Sequence, residues 1–309
     1  MNSWKRYWRR LGKCVDMGYI YCKENNSFLK TKEEKNELPQ IVWHITDKCR
    51  LKCRYCFATK SNMEVDSTRI DDYITRFKEL GIQKIDISGG EPLEYDHLPE
   101  ICESLYQNGF HITLTTKGIG QNKNIQWLED AGSMFSRIIF SIDLPTKSGQ
   151  ALMVGTKDDT FGRITEIMKC LSEKDYKDTR VNTVVTPDLM SGDSIDQMAE
   201  LMNTLDCREW CLIQPHPANK KETFEEISVA SQEFNKVIGN VKSRNIYKGT
   251  LLYRYAENYR DYWVLYPDGK LSKHTIGQHD IYNFDLLNTP VSFILPEVIN
   301  HTVWVQEEK

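Results

Sequence analysis

The chain has 309 residues and a net charge of −4, and a pI near 6.0 gives no reason to expect nucleic-acid binding across its surface. Its nine cysteines are spaced for metal ligation in a reducing compartment rather than for a disulfide framework. No apolar run approaches the roughly 18–20 residues that span a bilayer, and the polar residues after Met1 do not resemble a signal peptide, so we expect a cytoplasmic protein.

Residues 1–40 are interpreted as an N-terminal extension with a basic amphipathic helix. Four aromatic or apolar residues recur at helical spacing between Trp4 and Leu11, and lysine and arginine fill most other positions of segment 4–13. Such a helix could contact an anionic membrane surface or an acidic partner. The alternative is a cap that packs its aromatic rings on the open end of the core.

Strand-like and helix-like segments alternate through residues 41–218. The predicted strands are 41–46, 84–88, 111–116, 137–142, 180–186 and 209–214, and the predicted helices are 67–80, 98–108, 123–130, 161–173 and 194–205. Six such units predict an α/β fold, a partial (β/α)6 barrel of parallel strands like that of a TIM barrel. Chemistry in such folds lies at the carboxyl ends of the strands. Several polar segments, including residues 115–118, follow the predicted strands there.

Residues 219–309 lie outside this repeat and are predicted to form a C-terminal extension that caps the barrel and the substrate site. Residues 262–271 read as a strand, a Pro-Asp-Gly turn and a short returning strand.

Three cysteines follow the first predicted strand, at Cys49, Cys53 and Cys56. A [4Fe–4S] cluster normally takes four thiolates, so three closely spaced ones leave one iron open to another ligand. A structural zinc site would need a fourth ligand. The spacing therefore predicts a catalytic iron–sulfur cluster.

A second motif, Gly89-Gly90-Glu91-Pro92, follows the second predicted strand. With the cysteine motif it resembles the radical S-adenosylmethionine (radical SAM) enzymes over about residues 40–215. The resemblance implies that the three cysteines hold the cluster and that the open iron binds the amino and carboxylate groups of SAM. One-electron cleavage of SAM would then yield a 5′-deoxyadenosyl radical that abstracts a hydrogen atom from the substrate. An external donor such as flavodoxin or ferredoxin would supply the electron.

The resemblance also implies SAM contacts. The two glycines and the glutamate of the second motif would bind the ammonium group, Ser141 and Asp143 the ribose or methionine portion, and Tyr55 and Gln214 the adenine. The family often places an arginine for the SAM carboxylate near residues 154–157, where this chain has Lys157. The predicted SAM-binding residues are Tyr55, Gly89, Gly90, Glu91, Ser141, Asp143, Lys157 and Gln214.

Within the superfamily, the viperin-like nucleotide enzymes resemble this chain in Trp43-His44-Ile45-Thr46 and in residues 180–185. Basic residues on the second and fifth strands grip a nucleoside triphosphate in that branch. The matching substrate-binding candidates are Lys84, Arg180, Asn182 and Tyr262. Asp86 and Glu209 depart from the pattern, because a triphosphate of charge near −4 needs compensating donors. Either the substrate carries less negative charge, or the cations come from elsewhere.

Two alternatives to a nucleotide substrate are kept. The chain also resembles the enzymes that modify ribosomal peptides (RiPP maturases), although no cysteine for auxiliary clusters follows Cys211. The protein could instead be a non-catalytic iron–sulfur protein that uses its cluster for folding or docking.

Two further residues are candidates for a catalytic role. Cys211, near the end of the sixth strand, could donate a hydrogen atom to a substrate radical, although a small packing residue is the simpler interpretation. His216, between two prolines after that strand, could line the substrate mouth.

Overall fold

The structure is a computed structural model, and it describes residues 19–22, 27–30, 40–56, 58, 60–216, 224–258, 262–274 and 283–294. The amphipathic helix predicted within residues 4–13 lies outside the described residues. Among those that are described, no helix has the length and apolar character needed to cross a membrane.

The described strands form two sheets. Strands β1 (Tyr19–Cys22) and β2 (Ser27–Lys30) make a separate antiparallel pair. The main sheet contains β3 (Gln40–Thr46), β4 (Lys84–Gly89), β5 (His111–Thr116), β6 (Arg137–Ser141), β7 (Thr179–Val184), β8 (Glu209–Ile213), β9 (Thr250–Arg254), β10 (Tyr262–Leu265), β11 (Lys270–His274) and β12 (Asn283–Asp285).

Helices connect most of these strands. They are α1 (Ile70–Glu79), α2 (Leu98–Gln107), α3 (Asn122–Ala131), α4 (Lys147–Val154), α5 (Thr160–Glu173), α6 (Pro187–Met190), α7 (Ser194–Thr204), α8 (Phe224–Ile227) and α9 (Ser231–Arg244). Short 3₁₀ turns lie at Ser67–Arg69, Pro92–Glu94, Gly132–Met134 and Ala256–Asn258.

The main sheet is open and mostly parallel. Its order is β12-β11-β10-β3-β4-β5-β6-β7-β8-β9, and within the described residues its two edge strands do not pair with each other. Neighbouring strands from β10 to β9 pair in parallel, whereas β11 and β12 are antiparallel. The α/β fold with a partial barrel is therefore confirmed, as are the six strands and five helices predicted for residues 41–218. Their bounds differ by at most three residues, because α1 begins at Ile70 after the 3₁₀ turn at Ser67–Arg69.

The sheet continues beyond the predicted units on both sides. Strand β9 pairs in parallel with β8, after α9 has crossed back over the sheet. Strand β10 pairs in parallel with β3 on the opposite side, and β11 returns beside it. The predicted strand, turn and returning strand are thus confirmed, with the Tyr266 N–H donating to the Lys270 carbonyl at 2.9 Å.

The apolar stripe of α1 shows how the helices cover the sheet. Ile70, Tyr73, Ile74 and Phe77 lie on one face of the helix and are buried. The rings of Tyr73 and Phe77 pack on Trp43 of β3, with centroids 5.2 Å away in both contacts. Strand β3, which leads into the cysteines, is thereby fixed from outside the barrel.

Candidate active site

One cavity of about 500 Å³ lies within the curve of the main sheet, from β10 through β3 to β9. Its volume is in the range of small-molecule and cofactor sites. The predicted site residues that line it are Cys49, Cys53, Tyr55, Cys56, Lys84, Gly89, Gly90, Glu91, Ser141, Asp143, Arg180, Asn182, Gln214, His216 and Tyr262. The fold therefore brings the predicted cluster, SAM and substrate residues to one place.

Two predicted residues do not line this cavity. Lys157 is exposed in the loop between α4 and α5. Cys211 is fully buried in a small cluster with Ile213 and Leu252. Its location agrees with the packing interpretation, and its predicted hydrogen-atom transfer would need access that the described cavity does not provide.

Backbone hydrogen bonds join the cysteine loop (residues 47–56) to the C-terminal end of α4. The backbone N–H of Lys52 donates to the Val154 carbonyl at 2.8 Å, and that of Arg54 donates to Met153 at 3.1 Å. Gly155 ends α4 in a left-handed conformation, with φ +62°, and a Cβ there would lie 2.8 Å from the Lys52 carbonyl oxygen. This close approach requires glycine, and it fixes the backbone between the cysteines.

The three thiols have the donor chemistry that a [4Fe–4S] cluster needs. All are partly buried, and Cys49 and Cys53 pack against the apolar Leu51 and Val154. Burial raises the pKa of Cys49 to about 12 and also raises the pKa of Cys53. Bound iron would displace these protons, because metal coordination favours the thiolate. Three partly buried sulfurs on one loop, open to a cavity, fit a cluster that keeps one iron open.

The arrangement of these sulfurs differs from that of a single-ion site. Among the residues that the structure describes, no three His, Cys, Asp or Glu side chains are arranged to hold a single metal ion. Each cysteine that serves a cubane cluster binds a different iron, so these side chains need not converge on one point.

The glycines of the second motif bring its backbone against the cysteine loop. Gly90 N–H donates to the Thr46 carbonyl at 2.7 Å, and Glu91 N–H donates to that of Lys48 at 2.9 Å. A Cβ on Gly89, where φ is +132°, would lie 2.3 Å from the Thr46 oxygen, and one on Gly90 would lie 2.1 Å from the Lys48 oxygen. These glycines therefore position the start of the cysteine loop.

The carboxylate of Glu91 is buried and ties β4 to the end of β5. Its Oε1 accepts from Thr116 Oγ1 at 2.5 Å and from Leu93 N–H at 3.1 Å, while Oε2 accepts from Lys117 N–H at 2.8 Å. Burial raises the pKa of Glu91 to about 7. The predicted contact of Glu91 with the SAM ammonium stays a prediction.

A buried cation that the sequence analysis did not single out lies beside the cysteine loop. Lys117 Nζ is 3.0 Å from Asp143 Oδ2 and lies 5.0 Å from the ring centroid of Tyr55. The Tyr55 hydroxyl donates to Asp143 Oδ2 and accepts from Lys117, and Val184 N–H donates to Asp143 Oδ1 at 3.0 Å. The side chains of Lys117 and Asp143 are only 13% and 1% exposed.

Nearby negative groups keep the Lys117 ammonium protonated. Burial disfavours the ammonium of Lys117, but the nearby Asp143 carboxylate and Cys53 outweigh it, and the pKa of Lys117 is raised. Burial likewise raises the pKa of Tyr55, which stays a neutral phenol. The only sequence signal for Lys117 was its place in residues 115–118, directly after β5.

The other end of the cavity contains a partly buried carboxylate, Asp86, on β4. Its Oδ1 accepts from Thr113 Oγ1 at 2.9 Å and from Thr115 Oγ1 at 3.3 Å, both on β5. Burial raises the pKa of Asp86, and the hydrogen bonds and the cations of Lys84 and Arg180 oppose that rise.

Glu209 of β8 bridges two arginines at the same end. Its Oε1 lies 3.0 Å from Arg137 Nη2, and its Oε2 lies 2.7 Å from Arg180 Nη2 and 2.8 Å from Arg180 Nε. Three neighbouring strands, β6, β7 and β8, contribute these residues. The Arg180 side chain is only 7% exposed, so the bridge is well shielded from solvent.

Comparison with known proteins supports this interpretation of the site. Residues 43–205 match the model of the Radical SAM superfamily. The chain is 41% identical over 112 residues to a probable GTP 3′,8-cyclase of Methanococcus maripaludis strain C7, covering 35% of this chain and 37% of that relative. It is 23% identical over 279 residues to an S-adenosylmethionine-dependent nucleotide dehydratase of Flammeovirga pacifica, covering 85% of this chain and 91% of the relative.

Solved structures share the fold. Streptococcus suis SuiB bound to the precursor peptide SuiA superposes with a TM-score of 0.67 at 12% identity, covering 94% of this chain and 68% of SuiB. The structure of native anSMEcpe with bound AdoMet superposes with a TM-score of 0.63 at 14% identity, covering 83% of this chain and 82% of anSMEcpe. The comparisons support the superfamily rather than its viperin-like branch in particular. The chain therefore belongs to the radical SAM superfamily, a family of enzymes that use a [4Fe–4S] cluster and S-adenosylmethionine.

Proposed function

We propose that this protein is a radical SAM enzyme that abstracts a hydrogen atom from a nucleotide or a nucleotide-derived substrate. One observation carries the proposal: Cys49, Cys53 and Cys56 line the same cavity as the polar residues Arg180 and Asn182. A radical made at the cysteine end would therefore form within reach of a substrate held at the other end.

On this proposal, the residues of the chain bind and orient the cluster and SAM. Cys49, Cys53 and Cys56 would hold the cluster, and Tyr55, with Ser141, would face the SAM molecule. When bound, the cluster and SAM supply one-electron cleavage to a 5′-deoxyadenosyl radical. The electron would come from an external donor such as flavodoxin or ferredoxin.

Apolar and aromatic side chains form another part of the cavity wall. Trp263 and Val264 of β10 are buried and line the cavity beside β3. The ring of Tyr266, which follows β10, packs edge-on against His44 of β3, with centroids 5.5 Å apart. Shielding of this kind protects a reactive intermediate from side reactions.

The relatives' names support a nucleotide substrate. One is named for GTP cyclisation, and the chain covers about a third of its length. Another is named for nucleotide dehydration, and its similarity extends over most of both chains. Lys84, Arg180 and Asn182 would contact the substrate on this proposal, and Tyr262, at the amino end of β10, would lie at the same end of the cavity as Lys84.

The test is SAM cleavage by protein reconstituted without oxygen. With dithionite and SAM we expect 5′-deoxyadenosine from the wild type, and none from Cys49→Ser, Cys53→Ser or Cys56→Ser. Cys170→Ala is the matched control, because Cys170 lies on α5 and does not line the cavity. A wild type that holds a full cluster and makes no 5′-deoxyadenosine would refute the proposal.

The same material distinguishes the alternatives. If the EPR signal of the reduced cluster does not change on addition of SAM, the protein is a non-catalytic iron–sulfur protein. If peptides increase 5′-deoxyadenosine formation and nucleotides do not, it is a peptide maturase.

A further inference from the structure

The cavity floor is defined here as Lys84, Asp86, Arg137, Arg180 and Asn182, which line the end of the cavity away from the cysteines. Most of these side chains belong to residues at or near the amino ends of their strands. The floor holds three cations and one carboxylate, so its formal charges alone suggest a site for a phosphate chain.

Glu209 changes that expectation. Its two carboxylate oxygens bind Arg137 and Arg180 at 2.7–3.0 Å, and the Glu209 side chain is only 16% exposed. A guanidinium that donates to a shielded carboxylate has less positive potential and fewer N–H groups left for a phosphate. Two guanidinium groups and one carboxylate still carry one net positive charge, but Glu209 offsets half of the charge of the two arginines and takes up three of their nitrogen contacts.

Asp86 changes it further. It is a carboxylate within the cavity, and its Oδ1 is fixed by the Thr113 and Thr115 hydroxyls. A phosphate placed beside it would meet like charge in a poorly solvated site, which disfavours binding. Hydrogen-bond donors from a substrate would instead be favoured there.

A second acceptor lies on the same floor. The Oδ1 atom of Asn182 is buried and accepts no hydrogen bond from the residues that the structure describes. Buried polar atoms are normally satisfied, so this oxygen needs a donor from a molecule within the cavity. Asp86 on β4 and Asn182 on β7 therefore both favour an N–H donor.

We infer that the floor recognises an uncharged N–H-donating group, such as a nucleobase, and that the substrate is a nucleoside-type molecule without a triphosphate. The inference rests on the proposed function and narrows its substrate class. Asp86 and Asn182 accept hydrogen bonds from the base, and Glu209 is a specificity residue because it occupies the two arginines that would otherwise bind phosphate.

The experiment is calorimetric binding to reconstituted protein saturated with SAM, with the cluster oxidised so that no turnover occurs. The probes are adenosine, guanosine, cytidine and uridine, each compared with its own triphosphate. We expect at least one nucleoside to bind the wild type at least about tenfold more tightly than its triphosphate, and Asp86→Asn to weaken that nucleoside by about tenfold.

Glu209→Gln gives the opposite change. It releases two guanidinium groups, so the affinity for the triphosphates should rise at least about tenfold. Asp178→Asn is the matched control, because Asp178 pairs with Arg208 outside the cavity and its loss should move neither affinity. If the triphosphates bind the wild type more tightly, if Glu209→Gln leaves their affinity unchanged, or if none of the eight probes binds, the inference is overturned. Formation of 5′-deoxyadenosine, measured separately, would show whether the proposed function fails with it.

Discussion

The ion pair between Lys117 and Asp143 allows a quantitative test of how the cysteine loop is held to the barrel. Replacing Lys117 with Met keeps the length of the side chain and removes its charge. The Asp143 carboxylate would then keep its hydrogen bonds from Val184 N–H and the Tyr55 hydroxyl, but no cation. Asp143 is 1% exposed, so water cannot replace the lost ammonium.

The expected cost follows from this burial. Removing one partner of a buried pair typically costs about 3–5 kcal/mol, because the remaining charge is left uncompensated. The remaining hydrogen bonds, and the 13% exposure of Lys117, favour the lower end of that range. A loss of about 3 kcal/mol lowers the melting temperature of a protein of this size by about 4–6 °C.

The assay is equilibrium unfolding in urea for Lys117→Met, Asp143→Asn and the double variant. The double variant should be more stable than the sum of the single losses predicts, because it leaves no unpaired charge. Lys174→Met is the matched control, since Lys174 and Asp130 are 46% and 79% exposed and such pairs contribute under about 1 kcal/mol. If Lys117→Met loses no more stability than Lys174→Met, the pair does not hold the loop in the way described.

Two more predictions concern the second motif. The pKa of Glu91 in the folded protein is raised to about 7, so the carboxyl group ionises more easily in the unfolded chain and stability falls as the pH rises. Between pH 5 and pH 8 the wild type should lose about 2–3 kcal/mol of unfolding free energy relative to Glu91→Gln, measured by urea unfolding. Parallel pH profiles of the two proteins would contradict the raised pKa. Gly90→Ala places a Cβ 2.1 Å from the Lys48 oxygen, so it should lower the free energy of unfolding by about 1–3 kcal/mol and lower the iron content after reconstitution. The control is Gly239→Ala, in open space on α9, which should raise the free energy of unfolding by about 0.5–1 kcal/mol. Equal iron content in the two variants would count against a tight contact at Gly90.

Hydrophobic periodicity was sufficient to predict the barrel units up to β8. The buried residues of α1 recur at helical spacing, and the strands alternate with such helices. The same signal was present further along the chain, where Phe234, Val237, Ile238 and Val241 form the buried stripe of α9. The pairing of β10 with β3 had no local signal, because a strand sequence does not specify which distant edge it joins.

The position of the candidate site was predictable from the sequence, but the ion pairs between its side chains were not. Motifs at strand ends identified the cavity, since parallel strands bring their carboxyl ends together. The contact of Lys117 with Asp143 joins the ends of β5 and β6, and no sequence spacing reveals it. Lys157 was the predicted cation near SAM, yet it is exposed outside the cavity, whereas Lys117 is buried within it. The sequence shows that Glu209 stands where the viperin-like pattern has a cation. The structure adds that Glu209 forms ion pairs with two arginines, Arg137 and Arg180.

Strand β3 pairs with β10, which lies more than 200 residues later in the chain, and this has a consequence for biosynthesis. Val42 pairs with Val264, so the strand that leads into the three thiols keeps an open flank until most of the polypeptide has left the ribosome. The nascent protein therefore passes through a stage in which its predicted metal ligands border a strand edge that β10 does not yet cover, the kind of edge that recruits other chains. The arrival of Tyr262–Leu265 ends this interval, because β10 then covers the edge of β3.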